Sequence, residues 1–428
     1  VSGHLDLSKK TNAPIVYGPN ATCEFECISA KDGQLFQVGD VTFKVLHTPG
    51  HTMESTTYLL IDENDKEPGI ISGDTLFIGD VGRPDLAQEL VEDLTQEILA
   101  GHLFDSLRNK IMPLSDDLIV YPNHGAGSAC GKNMSKETTD TLGNQKKVNY
   151  ALRADMTREE FIAELLDGLT PPPAYFPQNV MMNIQGYESL ENIMNKANKA
   201  LSAEEFETIA NQTDALVLDV RHENDFVKEH IPGSIFIGLH GQFAPWVGAL
   251  IRDTKQPILL ITPDGMEKET ITRLSRVGFD NTLGYLNGGL NAWKIAGFET
   301  DTIDSISPEE FASKYENSIV VDARKPSEYN AEHVEKAINI PLDYVNVQLA
   351  EVPKEEPFFL HCAGGYRSMS FASILKSRGF KGKNKKDLDL DWEAGDNTIY
   401  ALKQYQKSRG LDVDGVCGSA TWKDLIAI

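Results

Sequence analysis

Apolar and polar residues alternate over residues 1–130 in short runs broken by glycine-rich corners. In Gln34–Leu46, Leu35 and Val38 precede a Gly39-Asp40 turn, and Val41, Phe43 and Val45 then recur at every second position, which predicts a β-hairpin. Thr57–Ile61, Gly69–Ile71 and Leu118–Tyr121 predict further strands. Each strand end meets a polar cluster: Thr48-Pro49-Gly50-His51-Thr52, Ser72-Gly73-Asp74-Thr75 and Pro122-Asn123-His124-Gly125. Over 143–168 the spacing becomes helical, with Met156-Thr157-Arg158-Glu159-Glu160-Phe161 as a helix start. Gly168–Gly186, which contains Pro171-Pro172-Pro173, reads as a stiff connector.

One pattern then occurs twice. Leu216-Val217-Leu218-Asp219-Val220-Arg221 leads to His230-Ile231, and Val320-Val321-Asp322-Ala323-Arg324 leads to His333-Val334, with an Asp-to-His offset of 11 in both. In each copy a later strand (Pro257–Ile261, Pro357–Leu360) feeds a loop and a helix ending in Gly278-Phe279 or Gly379-Phe380. A period of about 100 residues is too long for a solenoid and predicts tandem α/β domains. Copy one continues through Gly284–Leu286, Gly288-Gly289 and Ala292-Trp293, a strand, turn and helix. Copy two runs instead into Lys381–Lys386, so its closing strand and helix are expected to be missing.

Composition narrows the function. The 428 residues include 40 Lys+Arg and 64 Asp+Glu, a net charge of −24. Such acidity argues against nucleic acid or an anionic membrane as the main partner, since both require a basic face. No run approaches the ~20 apolar residues of a membrane span. Five cysteines, an odd number, make no disulfide scaffold and suit a reducing compartment, the cytoplasm, with one or two chemical thiols. No signal peptide is expected at Val1, and the absence of an initial Met leads to the expectation of a missing upstream segment.

His51, Asp74 and His124 each stand just past a strand in a Gly/Pro-rich loop, and strand-end loops converge in open α/β layers. Imidazole and carboxylate with open positions suit iron(II) oxygen chemistry or zinc hydrolysis; independent surface histidines and a capping aspartate are the alternative. Together with Gly82-Arg83-Pro84-Asp85-Leu86, these loops resemble the metallo-β-lactamase superfamily. Within it they resemble the persulfide dioxygenase branch that is fused to rhodanese domains, to which Gly82-Arg83-x-Asp85 points. The resemblance implies an αββα sandwich and mononuclear Fe(II) held by two His and one Asp, with His51 and Asp74 in two of those positions. His124 matches the position that binds a second metal in binuclear relatives. The family's first ligands lie in a Thr-His-x-His-x-Asp-His loop followed by Val-Ser-Gly, and this chain opens Val1-Ser2-Gly3. A first domain at 1–168, truncated at its N-terminus and weak in metal binding, is therefore expected.

His361-Cys362-Ala363-Gly364-Gly365-Tyr366-Arg367-Ser368 lies between the strand Phe358–Leu360 and a helix beginning near Ser368. A thiol there faces several backbone N–H groups and the helix dipole, which stabilise a thiolate or persulfide anion. The loop resembles that of a rhodanese, implying Cys362 as sulfur carrier and Arg367 as a support of the loop. Asp322-x-Arg324 is then the entry motif, and a buried structural cysteine is the alternative. Copy one has no cysteine between Ala203 and Gly297, and its loop reads Thr262-Pro263-Asp264-Gly265-Met266-Glu267-Lys268, so sulfur transfer there is excluded. Cys130, six residues past His124, is either a persulfide relay on the rim of the iron pocket or a plain loop thiol. Cys23-x-x-x-Cys27 lacks a second ligand pair for zinc and reads as structural; Cys417 is incidental.

Asp391-Trp392-Glu393-x-Gly395, Ala401-Leu402-x-x-Tyr405-Gln406 and Gly410–Trp422 resemble a small helical peptidoglycan-binding domain, with an amphipathic helix and turns as the alternative. The expected architecture is α/β multidomain. A truncated metallo-β-lactamase sandwich (1–168) is followed by a linker (169–202), a thiol-less rhodanese-like domain (203–302) and an incomplete rhodanese domain with Cys362 (303–386). A small α-helical module (387–428) completes it, and a spliced or chimeric chain explains the composite better than a natural wall-anchored enzyme. The resemblances imply iron-dependent oxidation of a low-molecular-weight thiol persulfide by O₂ to sulfite, coupled to rhodanese transfer giving thiosulfate. The alternatives are a binuclear zinc thioester hydrolase of the glyoxalase II type and a non-catalytic protein that binds peptidoglycan.

Overall fold

Residues Leu35–Val38 and Val41–His47 pair antiparallel around the Gly39-Asp40 turn, as the alternation predicts. The computed structural model describes residues 3–85, 94–128, 130–132, 134–169, 175–354, 356–380 and 389–391. It divides into two units, Val1–Ser189 and Leu190–Ile428.

In the first unit the hairpin begins a six-stranded sheet. It continues through Thr56–Ile61, Gly69–Gly73, Ile119–Pro122 and Asp140–Thr141 in spatial order. All neighbours are antiparallel except Gly69–Gly73 with Ile119–Pro122. A parallel pair needs a crossover, and helix Gln96–Ser106, capped by Thr95, lies in that connection. Leu46, Leu59, Ile70 and Val120 from the sheet share one core with Leu103 of this helix and with Phe161 and Leu165 of helix Arg158–Leu166. Thr157 and Glu160 form a capping box that starts the latter helix where the sequence pattern put it. Phe43, Tyr58 and Leu60, on the opposite sheet face, are half-buried. This is the mixed α/β arrangement expected of the first domain.

One expectation needs correction here. Residues 176–185, read as part of a stiff connector, form the helix Phe176–Gln185, because Pro177 falls in its first turn, where a missing N–H costs nothing. Helix Leu190–Ala197 follows, so much of 169–202 is helical rather than linker. Cys23 and Cys27 are disulfide-bonded, their Cα atoms 6.7 Å apart and so within bridging span. One local bridge is no disulfide scaffold, and it agrees with the structural reading of the pair.

The second unit holds two five-stranded parallel sheets of identical order. The first runs Ile235–Phe236, Leu216–Asp219, Ile258–Ile261, Thr282–Leu286, Ala200–Leu201. The second runs Ile338–Asn339, Ile319–Asp322, Phe358–His361, Asp389–Asp391, Asp304–Ile306. Central parallel strands are covered on both faces, and every residue of Ile258–Ile261 and Phe358–His361 is buried. Strand Asp389–Asp391 takes the place that Thr282–Leu286 has in copy one, pairing with Phe358–His361 and Asp304–Ile306. The closing strand expected to be missing is thus present, supplied from beyond Lys381–Lys386. The helical module at 387–428 lies outside the described residues apart from this strand.

The repeated Asp-x-Arg is a structural chelate. Arg221 Nε and Nη2 donate to Asp219 at 3.0 and 2.6 Å, and Nη2 also donates to the Glu229 carbonyl at 2.8 Å. Arg324 does the same to Asp322 at 3.0 and 2.6 Å and to the Glu332 carbonyl at 2.7 Å. His230 and His333 each place Nδ1 2.8 Å from a carbonyl four residues back and stack on that residue's ring. The shared offset therefore encodes one folded turn, used twice.

Burial pushes His230 and His361 down to about 4. The unfolded chain protonates both near 6.5, so it binds more protons than the folded one between those values and stability falls as pH drops from 6.5 to 4. Urea midpoints of the second unit should decrease across that window, and His230→Asn should lessen the decrease.

Candidate metal centre and sulfur-transfer site

The first unit gathers His51, Asp74, His124 and Cys130 at the sheet's strand ends. Gly50, at φ +155°, precedes His51, and a Cβ there would stand 2.4 Å from that of Leu103. Thr48 Oγ1 hydrogen-bonds Thr75 Oγ1 at 2.7 Å, tying the His51 loop to the Asp74 loop. His51 Nδ1 donates to the Arg83 carbonyl at 2.8 Å, which leaves Nε2 toward Asp74 Oδ2 at 3.2 Å. His124 Nε2 lies 3.5 Å from the same oxygen. One ligand atom each of His51, Asp74 and Cys130 falls within 4.8 Å of the others.

Burial alone would raise Asp74, but hydrogen bonds from His124 and His51 hold it well below the usual carboxylate range. Burial alone would lower His51, yet the hydrogen bond and charge of Asp74 raise it. Hydrogen bonding to Asp74 and Cys130 pushes His124 up to about 10. Among the described residues, the buried Asp74 Oδ1 accepts no hydrogen bond. An unsatisfied carboxylate oxygen beside imidazole nitrogens fits a cation, so these residues suit a metal ion.

Sequence reasoning missed how Gly82 and Arg83 serve this centre. A Cβ on Gly82 would lie 2.0 Å from the Asp74 carbonyl and 3.0 Å from His51 Nδ1. The Arg83 side chain is buried in a double hydrogen bond to Asp85, both contacts at 2.6 Å, while its backbone carbonyl accepts from His51. The signal was the Gly82-Arg83-x-Asp85 motif itself, read only as a family mark.

In the second unit Cys362 follows the buried strand Phe358–His361 and precedes helix Tyr366–Ser377. Gly365, at φ +84°, turns its N–H onto Cys362 Sγ at 3.2 Å, and Ser368 Oγ stands 3.5 Å from the sulfur. Arg367 makes a double hydrogen bond to Glu328 at 2.6 and 2.9 Å, a partner that only the tertiary structure reveals. Copy one has the same loop with Gly265 at φ +81°, but its N–H donates to Glu267 Oε1 at 3.0 Å. A side-chain carboxylate fills the cradle that serves the sulfur in copy two.

A strand-end group of imidazole and carboxylate thus precedes, along the chain, a duplicated parallel α/β unit in which one copy cradles a thiol. The Rhodanese-like domain family matches residues 202–296 and 307–398. The peptidoglycan binding domain family matches 373–425, overlapping the second rhodanese match. A metallo-β-lactamase structure from Staphylococcus aureus subsp. aureus COL is 30% identical, covering 67% of this chain and 81% of its own at a TM-score of 0.59. A hydroxyacylglutathione hydrolase of Marinomonas sp. (strain MWYL1) is 33% identical over 122 residues, 28% of this chain and 41% of its own. Hydroxyacylglutathione hydrolase GloC of Haemophilus influenzae is 30% identical over 102 residues, 24% of this chain and 42% of its own. This chain spans about two fifths of the length of the first curated relatives it matches, 42% in each. The chain belongs to the metallo-β-lactamase family and carries two rhodanese-like domains.

Gly82→Ala should weaken metal binding about 10- to 100-fold, the usual effect of disturbing a ligand's support. Titration of the metal-free full chain with zinc or iron(II) would check this, with an unchanged melting profile as the control for folding.

Proposed function

We propose that this chain couples oxidation of a low-molecular-weight thiol persulfide to rhodanese sulfur transfer, giving thiosulfate. The observation that carries the reading is the Cys362 cradle in a chain that also carries the Asp74-centred imidazole and carboxylate group. His51 and Asp74 are the metal ligands, with His124 and Cys130 at their side. Mononuclear iron(II), when bound, supplies open positions where persulfide and O₂ meet. Overall, R–S–SH, O₂ and water give R–SH, sulfite and protons. Asp74 stays anionic, and the Arg83 carbonyl keeps His51 in the tautomer whose Nε2 faces the centre.

At the second site the Cys362 thiolate attacks the outer sulfur of R–S–SH. The S–S bond breaks, R–S⁻ leaves, and Cys362 carries the sulfur as a persulfide. Sulfite then attacks that outer sulfur, forming thiosulfate and returning the Cys362 thiolate. The Gly365 N–H stabilises the anion at both ends of the cycle. Free thiol carriers favour the cytoplasm as the place of reaction. No described helix is long and apolar enough to cross a membrane.

A second reading, a binuclear zinc thioester hydrolase, is favoured by the hydroxyacylglutathione hydrolase relatives. The two separate on O₂ consumption with glutathione persulfide and iron(II) against hydrolysis of a hydroxyacylglutathione with zinc. Peptidoglycan is a proposed partner through residues 373–425; co-sedimentation of the full chain with purified peptidoglycan tests it, and failure to pellet counts against it. For the relay, Cys362→Ser should abolish thiosulfate formation from glutathione persulfide and sulfite while leaving O₂ uptake. Intact thiosulfate formation in that variant would overturn the role of Cys362.

A further inference from the structure

The helix after Cys362 is unusually enclosed. All eight residues from Ser368 through Leu375 are buried. Its counterpart in copy one, Glu267–Arg276, buries only Thr270, Ile271 and Leu274, the single stripe of an ordinary amphipathic helix. The difference arises because the helix in copy two also packs against copy one. Ser373 Oγ accepts the Phe236 N–H at 2.9 Å, inside the buried contact. Ser368, Ser370 and Ser373 satisfy their own hydroxyls on helix carbonyls, which lets small polar residues stand where two bodies meet.

Tyr366 is the first residue of that helix and directly follows Gly365, the donor to Cys362 Sγ. Its ring enters copy one, 5.5 Å from the rings of Phe236 and His240, and its hydroxyl donates to the Gly238 carbonyl at 2.8 Å. Two glycines make the space: a Cβ would come within 2.6 Å of the ring at Gly241 and within 3.0 Å of it at Gly238. His240, beside the ring, is itself held 2.9 Å from the buried Glu223 carboxylate. Burial and the charge of Glu223 push Tyr366 upward, so its hydroxyl remains a donor. Copy one has Met266 at the matching place, with no such anchor.

We propose that Tyr366 is a positioning residue through which the thiol-less copy one holds the Cys362 loop in its anion-binding shape. The chain of contacts is short. Copy one fixes the Tyr366 ring and hydroxyl, Tyr366 fixes the first turn of the helix, and the adjoining Gly365 amide is thereby aimed at the sulfur. Copy one, barred from sulfur transfer by its own sequence, takes part in the reaction as the mould for the other copy's loop. The inference rests on the rhodanese reading of Cys362 and adds the residue that sets its geometry.

The test is the pH dependence of Cys362 alkylation by iodoacetamide in the full chain, read by mass spectrometry on the Cys362 peptide. Tyr366→Phe, which removes one hydrogen bond, should slow alkylation at neutral pH about three- to tenfold and displace the profile to higher pH. Gly241→Ala should displace it in the same direction by crowding the ring. Ser373→Ala, which removes a different inter-copy bond, the one from the Phe236 N–H, should lower the melting temperature and leave the profile in place. Wild-type profiles in folded Tyr366→Phe and Gly241→Ala would overturn the proposal. So would an equal shift in Ser373→Ala, since that would mean general loosening of the contact. Should Gly241→Ala not fold, Tyr366→Phe alone decides. Alkylation needs no sulfur donor. Failure of the wild type to take up sulfur from glutathione persulfide would therefore overturn the rhodanese reading separately.

Discussion

A backbone group brought within hydrogen-bonding reach of a reactive side chain is the constraint on which both sites depend. In the second unit it is the Gly365 N–H, 3.2 Å from Cys362 Sγ. In the first it is the Arg83 carbonyl, 2.8 Å from His51 Nδ1. Neither approach tolerates a bulkier residue nearby: Gly365 needs a positive φ, and a Cβ on Gly82 would meet Asp74 at 2.0 Å. Amides and carbonyls held this way cost nothing further to orient when charge appears on the sulfur or the imidazole.

The same constraint shows where two copies of one scaffold differ. Both rhodanese-like copies keep the Asp–Arg chelate, the stacked histidine and the left-handed glycine, Gly265 or Gly365. They part at two side chains. Copy one has Thr262 where copy two has Cys362, and Glu267 where copy two has Arg367. Glu267 closes the copy-one cradle from within, whereas Arg367 turns away to Glu328 and leaves the amide to the sulfur. The copy without the thiol is the one whose glycine amide is taken by its own carboxylate, and it packs against the helix behind Cys362.

Much of this was legible because the signals were local. Alternation at every second position located the hairpin around Gly39, the Thr157–Glu160 spacing located a helix start, and the repeated Asp-to-His offset located both copies. The Cys362 loop was readable since its turn is built from consecutive residues. The errors were equally physical. Pro171–Pro173 suggested an extended connector, yet Pro177 opens a helix a few residues on. The basic run at 381–386 suggested that the second sheet stopped short, yet Asp389–Asp391 fills its fourth place through backbone bonds that need no particular side chain.

By itself the sequence determined most of the elements, the duplication, the candidate His51, Asp74, His124, Cys130 and Cys362, and the lack of a cysteine in copy one. Each follows from residue type and near-neighbour spacing, which act through local dihedral preference and burial of one face. Only the tertiary structure decided that Arg83 presents a carbonyl to His51, that Glu328 receives Arg367, and that Tyr366 reaches into copy one. These contacts join residues 32, 39 and 128 positions apart. No periodicity carries information over such separations; packing of whole elements against one another brings the partners together.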